Sequence, residues 1–237
     1  MFEETARYYD RIYAFKDYAA EAGRLADIVR ERIGDRRGSL LDVACGTGRH
    51  LEYLAESFEV EGIDLSETLL ALARERLPGV PLHRGDMRSF RCPRRFDAIT
   101  CLFSAIGYMT VLDDLIGALG TMAGHLASEG VLIVEPWITP DEWRSNTVHA
   151  LLVDEPELKI ARVSTSPPAV DGRLSRVDVH HLIGTPEGTS YVVERHELAL
   201  YTIDEMTSAF ETCGLDVDYD PEGLTGRGLY VAQKGKR

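Results

Sequence analysis

The order of apolar and polar positions along the chain predicts helices and strands in regular alternation. Between Asp17 and Ile33 the apolar residues recur at helical spacing, which predicts an amphipathic helix. The run Ser39–Val43 is short and almost wholly apolar, as strands covered on both faces of a sheet are. Similar patterns predict strands at Phe58–Leu65, Val80–His83, Phe96–Leu102 and Gly130–Glu135, and helices from near Arg49, at Glu67–Arg76 and at Asp113–Leu126.

The pattern changes after Pro136, where loops containing Trp, Pro and Thr precede strands of a different kind. Alternating runs predict antiparallel strands near Ile160–Ser164, Ser175–Leu182 and Tyr191–Leu200. A helix at Ile203–Cys213 and two closing strands, LDVDYD and GLYVAQ, follow. Alternating β and α units followed by an antiparallel patch predict an α/β fold with a Rossmann-like, mostly parallel sheet and an inserted antiparallel β-layer.

Charge and cysteine content narrow the possible partners and the compartment. The 237 residues carry a formal net charge of -13 with no basic run, so we expect neither nucleic acid nor an anionic membrane surface as a partner. The segment MFEETARYYDRIYAF resembles neither a secretory signal nor a membrane span. The cysteines are too widely spaced for a metal cluster, and we expect buried thiols in a cytoplasmic protein without a metal: Cys45, Cys92, Cys101 and Cys213.

The strongest chemical signal is the segment LLDVACGTGRHLEYL, which places glycines directly after the first predicted strand. Ligands bind at this end of open α/β sheets, and Gly46 and Gly48 permit a tight turn close to a ligand. A dinucleotide fingerprint would need a small residue where Leu51 stands, which weakens that interpretation. Asp42, four residues before Gly46, gives instead a pattern that resembles the first motif of class I S-adenosylmethionine methyltransferases.

This resemblance continues at the ends of the next predicted strands. Asp64, in GIDLS, stands where the family binds the cofactor ribose, and a carboxylate can accept two hydrogen bonds from a cis-diol. Gly85-Asp86-Met87 is similar to the family's adenine site, and CLFSAIGYM is similar to its active-site floor. The resemblance implies S-adenosylmethionine as cofactor, bound by Tyr9, Tyr18, Asp42, Ala44, Cys45, Gly46, Gly48, His50, Asp64, Leu65, Asp86, Met87, Phe103 and Ser104.

Segments along nearly the whole chain resemble a narrower group, the bacterial N,N-dimethyltransferases that complete dimethylamino deoxysugars such as desosamine and mycaminose. These segments are ARYYDRIYAFKDYAAEA, LLDVACGTGRHLEYL, LHRGDMRSF, LFSAIGYM, GVLIVEPW and LTGRGLYVA. The resemblance implies a homodimer that methylates the amine of a dTDP-linked amino sugar. It also implies a lid and helix at 1–38, a cofactor-binding core at 39–136, a substrate-binding antiparallel insertion at 137–200, and a C-terminal helix and strands that complete the core sheet at 201–237.

A nucleotide-sugar substrate requires hydrogen-bond donors for its pyrophosphate. Suitable donors are Arg227 and, within the run ARVSTS, Arg162, Ser164 and Ser166. Trp137 can stack on the sugar or the base. Phe2, which stands where the family has an early tyrosine, is also expected to contact the substrate.

Methyl transfer to an amine requires no Ser-His-Asp constellation, because positioning and desolvation of a neutral amine supply most of the rate. Tyr108, in the fourth-strand motif, and Glu135, at the end of the fifth strand, are the expected catalytic residues. We expect them to orient the amine and to help remove its proton.

Three other functions remain compatible with the residues. A methyltransferase that acts on another small molecule, such as glycine or a phenol, would share the cofactor motifs. An NAD-dependent dehydrogenase is disfavoured by Leu51 and by the lack of an evident hydride-transfer constellation. A non-catalytic cofactor-binding protein would keep the glycine turn that binds the cofactor but would not transfer the methyl group.

Overall fold

The computed structural model describes residues 5–168 and 172–235, and these residues form two β-sheets with helices packed around the larger one. The strands are β1 (Ser39–Val43), β2 (Glu59–Asp64), β3 (Leu82–Arg84), β4 (Phe96–Cys101), β5 (Leu126–Val134), β6 (Thr147–Glu155), β7 (Leu158–Ser166), β8 (Leu174–Thr185), β9 (Gly188–Ala199), β10 (Leu215–Asp220) and β11 (Leu229–Lys234). The helices are α1 (Tyr9–Ile12), α2 (Tyr18–Ile33), α3 (Arg49–Leu54), α4 (Glu67–Arg76), α5 (Leu112–His125) and α6 (Ile203–Thr212), with 3-10 turns at Ala6–Tyr8 and Ala105–Tyr108. Within the described ranges, no helix is long and apolar enough to cross a membrane.

The larger sheet has the strand order β10-β11-β5-β4-β1-β2-β3. Strands β1 to β5 run parallel, β11 joins β5 antiparallel, and β10 joins β11. Helices α2, α3 and α4 bury one face of this sheet, and α5 and α6 bury the other. The predicted Rossmann-like, mostly parallel α/β fold is therefore confirmed, and the carboxyl ends of its parallel strands lie along one edge.

Strands β6 to β9 form a separate antiparallel sheet. The sequence pattern predicts β7, β8 and β9 but misses β6. Leu151 and Val153 of β6 pack in an apolar cluster, whereas Val148 and Leu152 on its other face are exposed. Because both faces of β6 carry apolar residues, the alternation that identifies a half-buried strand is absent.

Strand β5 begins earlier than the sequence predicts. The run ASEG, which resembles a turn, is part of the strand, and α5 passes directly into β5. The pairing with β4 shifts register here, since Phe96 pairs with Leu126 and Ala98 pairs with Val131. This irregularity accommodates the extra residues before the regular ladder begins.

The N-terminal segment crosses between the two sheets and is fixed at both ends. Thr47 donates a hydrogen bond of 2.7 Å to Asp10 of α1, which fastens the segment to the parallel sheet. Thr5 donates a buried hydrogen bond of 2.8 Å to Glu194 of β9. Ile12 packs in the apolar cluster under the antiparallel sheet. The described part of the expected lid therefore lies against both halves of the molecule.

Candidate active site

A cavity of about 810 Å³ lies between the carboxyl ends of the parallel strands and one face of the antiparallel sheet. Strand ends and the N-terminal segment form one side of it, and β7, β8, β9 and the loop before β11 form the other. The cavity brings together many of the residues that the sequence analysis proposes for binding or catalysis. These are Tyr9, Ala44, Gly46, Asp64, Leu65, Asp86, Met87, Phe103, Ser104, Tyr108, Trp137, Arg162 and Arg227.

The glycine turn after β1 borders the cavity through Gly46. Gly46 has a φ of 56°, and a Cβ added there would meet no atom within 4 Å. Ala44, just before the turn, also has a positive φ of 63°, an uncommon conformation for a residue with a side chain. Gly48 serves a different purpose, because a Cβ there would lie 2.9 Å from Leu77 at the end of α4. Gly46 therefore gives access to a ligand, and Gly48 permits helix packing.

Asp64, at the end of β2, holds the glycine turn in place. Its Oδ2 accepts a 2.8 Å hydrogen bond from the Gly46 backbone, and its Oδ1 accepts one of 2.8 Å from the Ser66 backbone. Burial raises the pKa of Asp64, although the same backbone N–H groups act in the opposite direction. The carboxylate also lines the cavity, and each oxygen has lone-pair capacity for one more donor. A ribose diol can supply those two donors.

Asp86 follows β3 and is held by a neighbouring arginine. Arg88 donates to Asp86 Oδ2 at 2.6 Å and reaches Asp114 of α5 at 3.0 Å, so it ties the loop to that helix. The Arg88 hydrogen bonds lower the pKa of Asp86. Met87 and Leu69 line the adjoining wall and provide an apolar surface for a flat ring beside the charged group.

Several residues proposed as cofactor contacts lie behind the cavity wall and support it. Asp42 is buried and accepts a 2.7 Å hydrogen bond from Thr100 of β4; burial raises its pKa to about 6. The ring of Tyr18 lies 4.9 Å from the ring of His50. Five of the residues expected to contact the cofactor do not line the cavity: Tyr18, Asp42, Cys45, Gly48 and His50.

Lys16 is a cavity residue that the sequence analysis does not identify. Its ammonium lies 2.7 Å from Glu21 and 4.3 Å from the centre of the Phe103 ring, and only 4% of its side chain is exposed. Glu21 is also hydrogen-bonded to His50 at 2.8 Å. Burial raises the pKa of Glu21, but hydrogen bonds from His50 and Lys16 outweigh it, so the net shift is downward. An ammonium has three N–H donors, so a ligand carboxylate can share Lys16 with Glu21.

The turn after β4 forms the floor of the cavity and has an unusual backbone. Phe103 and Ser104 have φ values of 52° and 60°. The Phe103 N–H donates a 2.6 Å hydrogen bond to Glu135, whose other carboxylate oxygen accepts one of 2.8 Å from Thr225. Glu135, one of the two expected catalytic residues, is fully buried and does not line the cavity, and its two carboxylate oxygens support the floor.

Two arginines face the cavity from the substrate side. The Arg227 guanidinium lies 5.3 Å from the ring centre of Trp137 and donates to Ser104 at 3.3 Å. The Arg162 guanidinium lies 5.4 Å from the ring centre of Tyr13. In the described part of the chain, neither guanidinium lies within ion-pair distance of a carboxylate, in contrast to Arg195, which pairs with Asp178 at 2.8 Å. Both arginines therefore keep charge for a ligand anion.

The remaining proposed substrate residues lie elsewhere. Ser164 and Ser166 of β7, which are expected to contact the substrate, are buried and do not line the cavity. Phe2 falls outside the described residues.

Tyr108, at the end of the second 3-10 turn, projects into the cavity beneath β9. Burial raises its pKa, so the phenol stays neutral at physiological pH. Its hydroxyl lies 2.8 Å from Nδ1 of His196, a second cavity residue that the sequence analysis does not identify. The alternating pattern of β9 predicts a strand but does not indicate which face carries the site.

Comparisons with known proteins agree with this geometry. The methyltransferase domain family matches residues 40–130. The chain is 42% identical to a dTDP-3-amino-3,6-dideoxy-alpha-D-glucopyranose N,N-dimethyltransferase of Streptomyces fradiae, over 99% of this chain and 92% of the relative. The structure of DesVI from Streptomyces venezuelae matches with a TM-score of 0.92 and 40% identity, covering 98% of this chain and 99% of that one. A SAM-bound amino pentose methyltransferase, CalS10 from Micromonospora echinaspora, matches with a TM-score of 0.84 and 41% identity, covering 93% and 92%.

The strand-end cavity and the seven-stranded sheet define the class, which is the class I S-adenosylmethionine-dependent methyltransferases. Within that class, near full-length identity of 42% shows that the chain belongs to the family of dTDP-amino-sugar N,N-dimethyltransferases.

Proposed function

We propose that this protein transfers methyl groups from S-adenosylmethionine to the amine of a dTDP-linked amino deoxysugar, giving a dimethylamino sugar for antibiotic biosynthesis. One observation carries the proposal. A single cavity has acidic strand ends on one side and two arginines without ion-pair partners among the described residues on the other. The names of the relatives, which act on dTDP-amino sugars, support the same substrate class.

The residues at the strand ends fit the cofactor. Asp64 would bind the ribose diol, because its two oxygens keep acceptor capacity after holding the turn. Asp86 and the apolar wall beside it would bind the adenine, and Lys16 would bind the methionine carboxylate. S-adenosylmethionine supplies the electrophilic methyl group when it is bound. The open space at Gly46 lets the ligand approach the backbone.

The opposite wall fits a nucleoside diphosphate sugar. Arg162 and Arg227 would bind the pyrophosphate, since planar guanidinium groups match phosphate oxygens well. Trp137, whose ring already contacts Arg227, would stack on the sugar or the base. The chain carries a formal net charge of -13, so recognition of this dianion depends on short-range contacts rather than on the overall field.

Catalysis in this site consists mainly of positioning. Tyr108 would orient the amine, and Phe103 and Ser104 would form the floor on which the reacting groups meet. Holding two reactants in line can lower a barrier by about 7–11 kcal/mol. The amine reacts in its neutral form, and the buried floor excludes water that would hydrate it.

The proposed reaction is tested by incubating the protein with S-adenosylmethionine and a panel of dTDP-amino sugars, followed by mass spectrometry. We expect an increase of one or two methylene mass units on at least one amino sugar. The matched control is the same nucleotide sugar with a hydroxyl in place of the amine, which should stay unmodified. Methylation of the hydroxyl compound, or of no amino sugar by protein that binds S-adenosylhomocysteine, would refute the assignment.

We also propose that the domain boundaries follow the two sheets, with the antiparallel insertion at 137–200 binding the substrate and residues 201–237 completing the core sheet. This division is supported by the pairing of β11 with β5 and by the separate sheet of β6 to β9. Limited proteolysis should cut first in the connections between the sheets, and cleavage within β11 would contradict the division.

A cytoplasmic homodimer is part of the same proposal. The cysteines are free, as thiols in a reducing compartment are. The face of the antiparallel sheet opposite the cavity exposes six large apolar side chains: Val148, Leu152, Val163, Leu182, Tyr191 and Val193. Monomers rarely expose so many neighbouring apolar residues, and a second copy of the chain would cover them. Leu182→Glu should convert the dimer to a monomer in light scattering, and an unchanged mass would reject this face.

A further inference from the structure

Tyr108 and His196 form a side-chain pair at the cavity wall that joins the two halves of the molecule. Tyr108 belongs to the turn after β4, and His196 belongs to β9 of the antiparallel sheet. The phenol oxygen lies 2.8 Å from the imidazole Nδ1, and the two rings meet edge to face at 6.2 Å. Both side chains line the cavity. The pair therefore lies where the reacting amine is expected.

The surroundings of His196 keep its ring neutral and in place. Val177 pairs with His196 across the strands, and Leu198 follows it on the same face. Burial is the largest of the effects that lower the pKa of His196 to about 4. Tyr108 is also neutral because burial raises its pKa. The hydrogen bond thus joins two uncharged groups.

Two neutral arrangements of this bond are possible, and they differ in which group donates. A phenol O–H is a better donor than an imidazole N–H, and an unprotonated imidazole nitrogen is a better acceptor than a phenol oxygen. Donation from Tyr108 to Nδ1 therefore pairs the better donor with the better acceptor. In that arrangement the phenol hydrogen points to His196, and the phenol oxygen presents lone pairs to the cavity.

We propose that His196 is a positioning residue for methyl transfer, which accepts the Tyr108 proton and makes the phenol oxygen an acceptor for an N–H of the substrate amine. This inference rests on the proposed amine substrate. An amine that donates one N–H to Tyr108 keeps its own lone pair free for the methyl group. A reversed bond would direct the phenol hydrogen at that lone pair and block it.

The same arrangement determines which acceptor groups the site takes. A primary or secondary amine carries the hydrogen that Tyr108 needs. A carboxylate oxygen has no hydrogen, so it would meet the lone pairs of the phenol oxygen and be repelled. His196 thus contributes to the exclusion of acceptors that carry no hydrogen, such as carboxylates, through the direction of one hydrogen bond.

A double-mutant cycle tests the coupling. Tyr108→Phe and His196→Leu should each lower kcat on the methylated amino sugar about tenfold, the scale of one hydrogen bond, and the double variant should be no slower than Tyr108→Phe. His196→Asn, whose amide oxygen can replace Nδ1 as acceptor, should stay within about threefold of the wild type. The dissociation constant for S-adenosylhomocysteine should not change in any variant. His149→Asn, at an exposed histidine outside the cavity, is the matched control and should keep wild-type kcat.

Independent losses that multiply in the double variant would overturn the proposal, as would equal losses in His196→Leu and His196→Asn. Nitrogen-15 NMR of the imidazoles provides a measurement that needs no substrate. The His196 Nδ1 should be unprotonated and should shift in Tyr108→Phe, whereas a protonated Nδ1 would refute the inference. If the wild type methylates no amino sugar, the proposed function fails, and the imidazole spectrum still decides the direction of the bond.

Discussion

Removing the Asp64 carboxylate should weaken cofactor binding by an amount that the structure bounds. Asp64 lines the cavity, and a ribose diol would add a donor to each of its oxygens. Hydrogen bonds to a charged group contribute about 1.5–3 kcal/mol. If the diol loses the equivalent of one such bond, the dissociation constant for S-adenosylhomocysteine rises about 12- to 160-fold in Asp64→Ala.

The same substitution also affects folding, and the assay must separate the two effects. Asp64 accepts the backbone N–H groups of Gly46 and Ser66, and each would lose its acceptor at a cost of about 1–3 kcal/mol. Asp64→Asn keeps one carbonyl acceptor, so it should fold more readily and bind with intermediate affinity. Glu59→Ala, at the exposed start of the same strand, is the matched control and should bind as the wild type does.

Isothermal titration with S-adenosylhomocysteine, combined with thermal unfolding of each variant, gives both quantities. We expect the order of affinity to be wild type and Glu59→Ala, then Asp64→Asn, then Asp64→Ala. If either folded Asp64 variant binds with wild-type affinity, Asp64 is not the ribose ligand. The cofactor site would then have to be sought away from the end of β2.

The remaining predictions concern stability and substrate affinity. Burial raises the pKa of Asp42 from 3.8 to about 6 in the folded state, so the contribution of this group to stability falls as the pH rises through that window. The free energy of unfolding of Asp42→Asn should therefore increase by about 1–3 kcal/mol relative to that of the wild type between pH 4 and pH 8. A difference that does not depend on pH would refute this. Gly48→Ala should lose about 1–2 kcal/mol in denaturant unfolding, because φ is 75° and the new Cβ meets Leu77, and unchanged stability would contradict the packing argument. Arg227→Met should raise the KM for the nucleotide sugar at least tenfold and leave the affinity for S-adenosylhomocysteine unchanged. Arg24→Met, at an exposed arginine, is the control and should keep the wild-type KM. An equal loss of affinity for both ligands would argue against a phosphate contact.

The meeting of Gly46, Asp64 and Asp86 at one cavity could be predicted because it depends on strand order. Gly46, Asp64 and Asp86 each follow a predicted parallel strand, and parallel strands end at the same edge of a sheet. Features that follow from chain direction and local periodicity are thus readable without coordinates.

The substrate half depends on side-chain direction, which the sequence does not encode locally. Glu135 and Tyr108 both follow core strands, yet one turns beneath the floor and the other into the cavity. His196 is on the inner face of β9 because of the register with β8, where it pairs with Val177. A shift of one residue would have turned it outward. Lys16 is enclosed because the N-terminal segment folds back over the parallel sheet.

The strained floor turn connects recognition of the anion to the methyl-transfer centre. Glu135 binds the Phe103 N–H and the Thr225 hydroxyl, and Arg227, two residues further on, donates to Ser104. Phe103 and Ser104, the two residues of this turn with positive φ, are therefore hydrogen-bonded to the loop before β11, either directly or through Glu135. A backbone in this conformation persists only where its surroundings hold it, and here the surroundings include the arginine proposed for the pyrophosphate. The ring of Phe103 also contacts Lys16 on the proposed cofactor side. The two proposed half-sites thus share the turn after β4, so the spacing between methyl donor and acceptor would depend on the position of that turn.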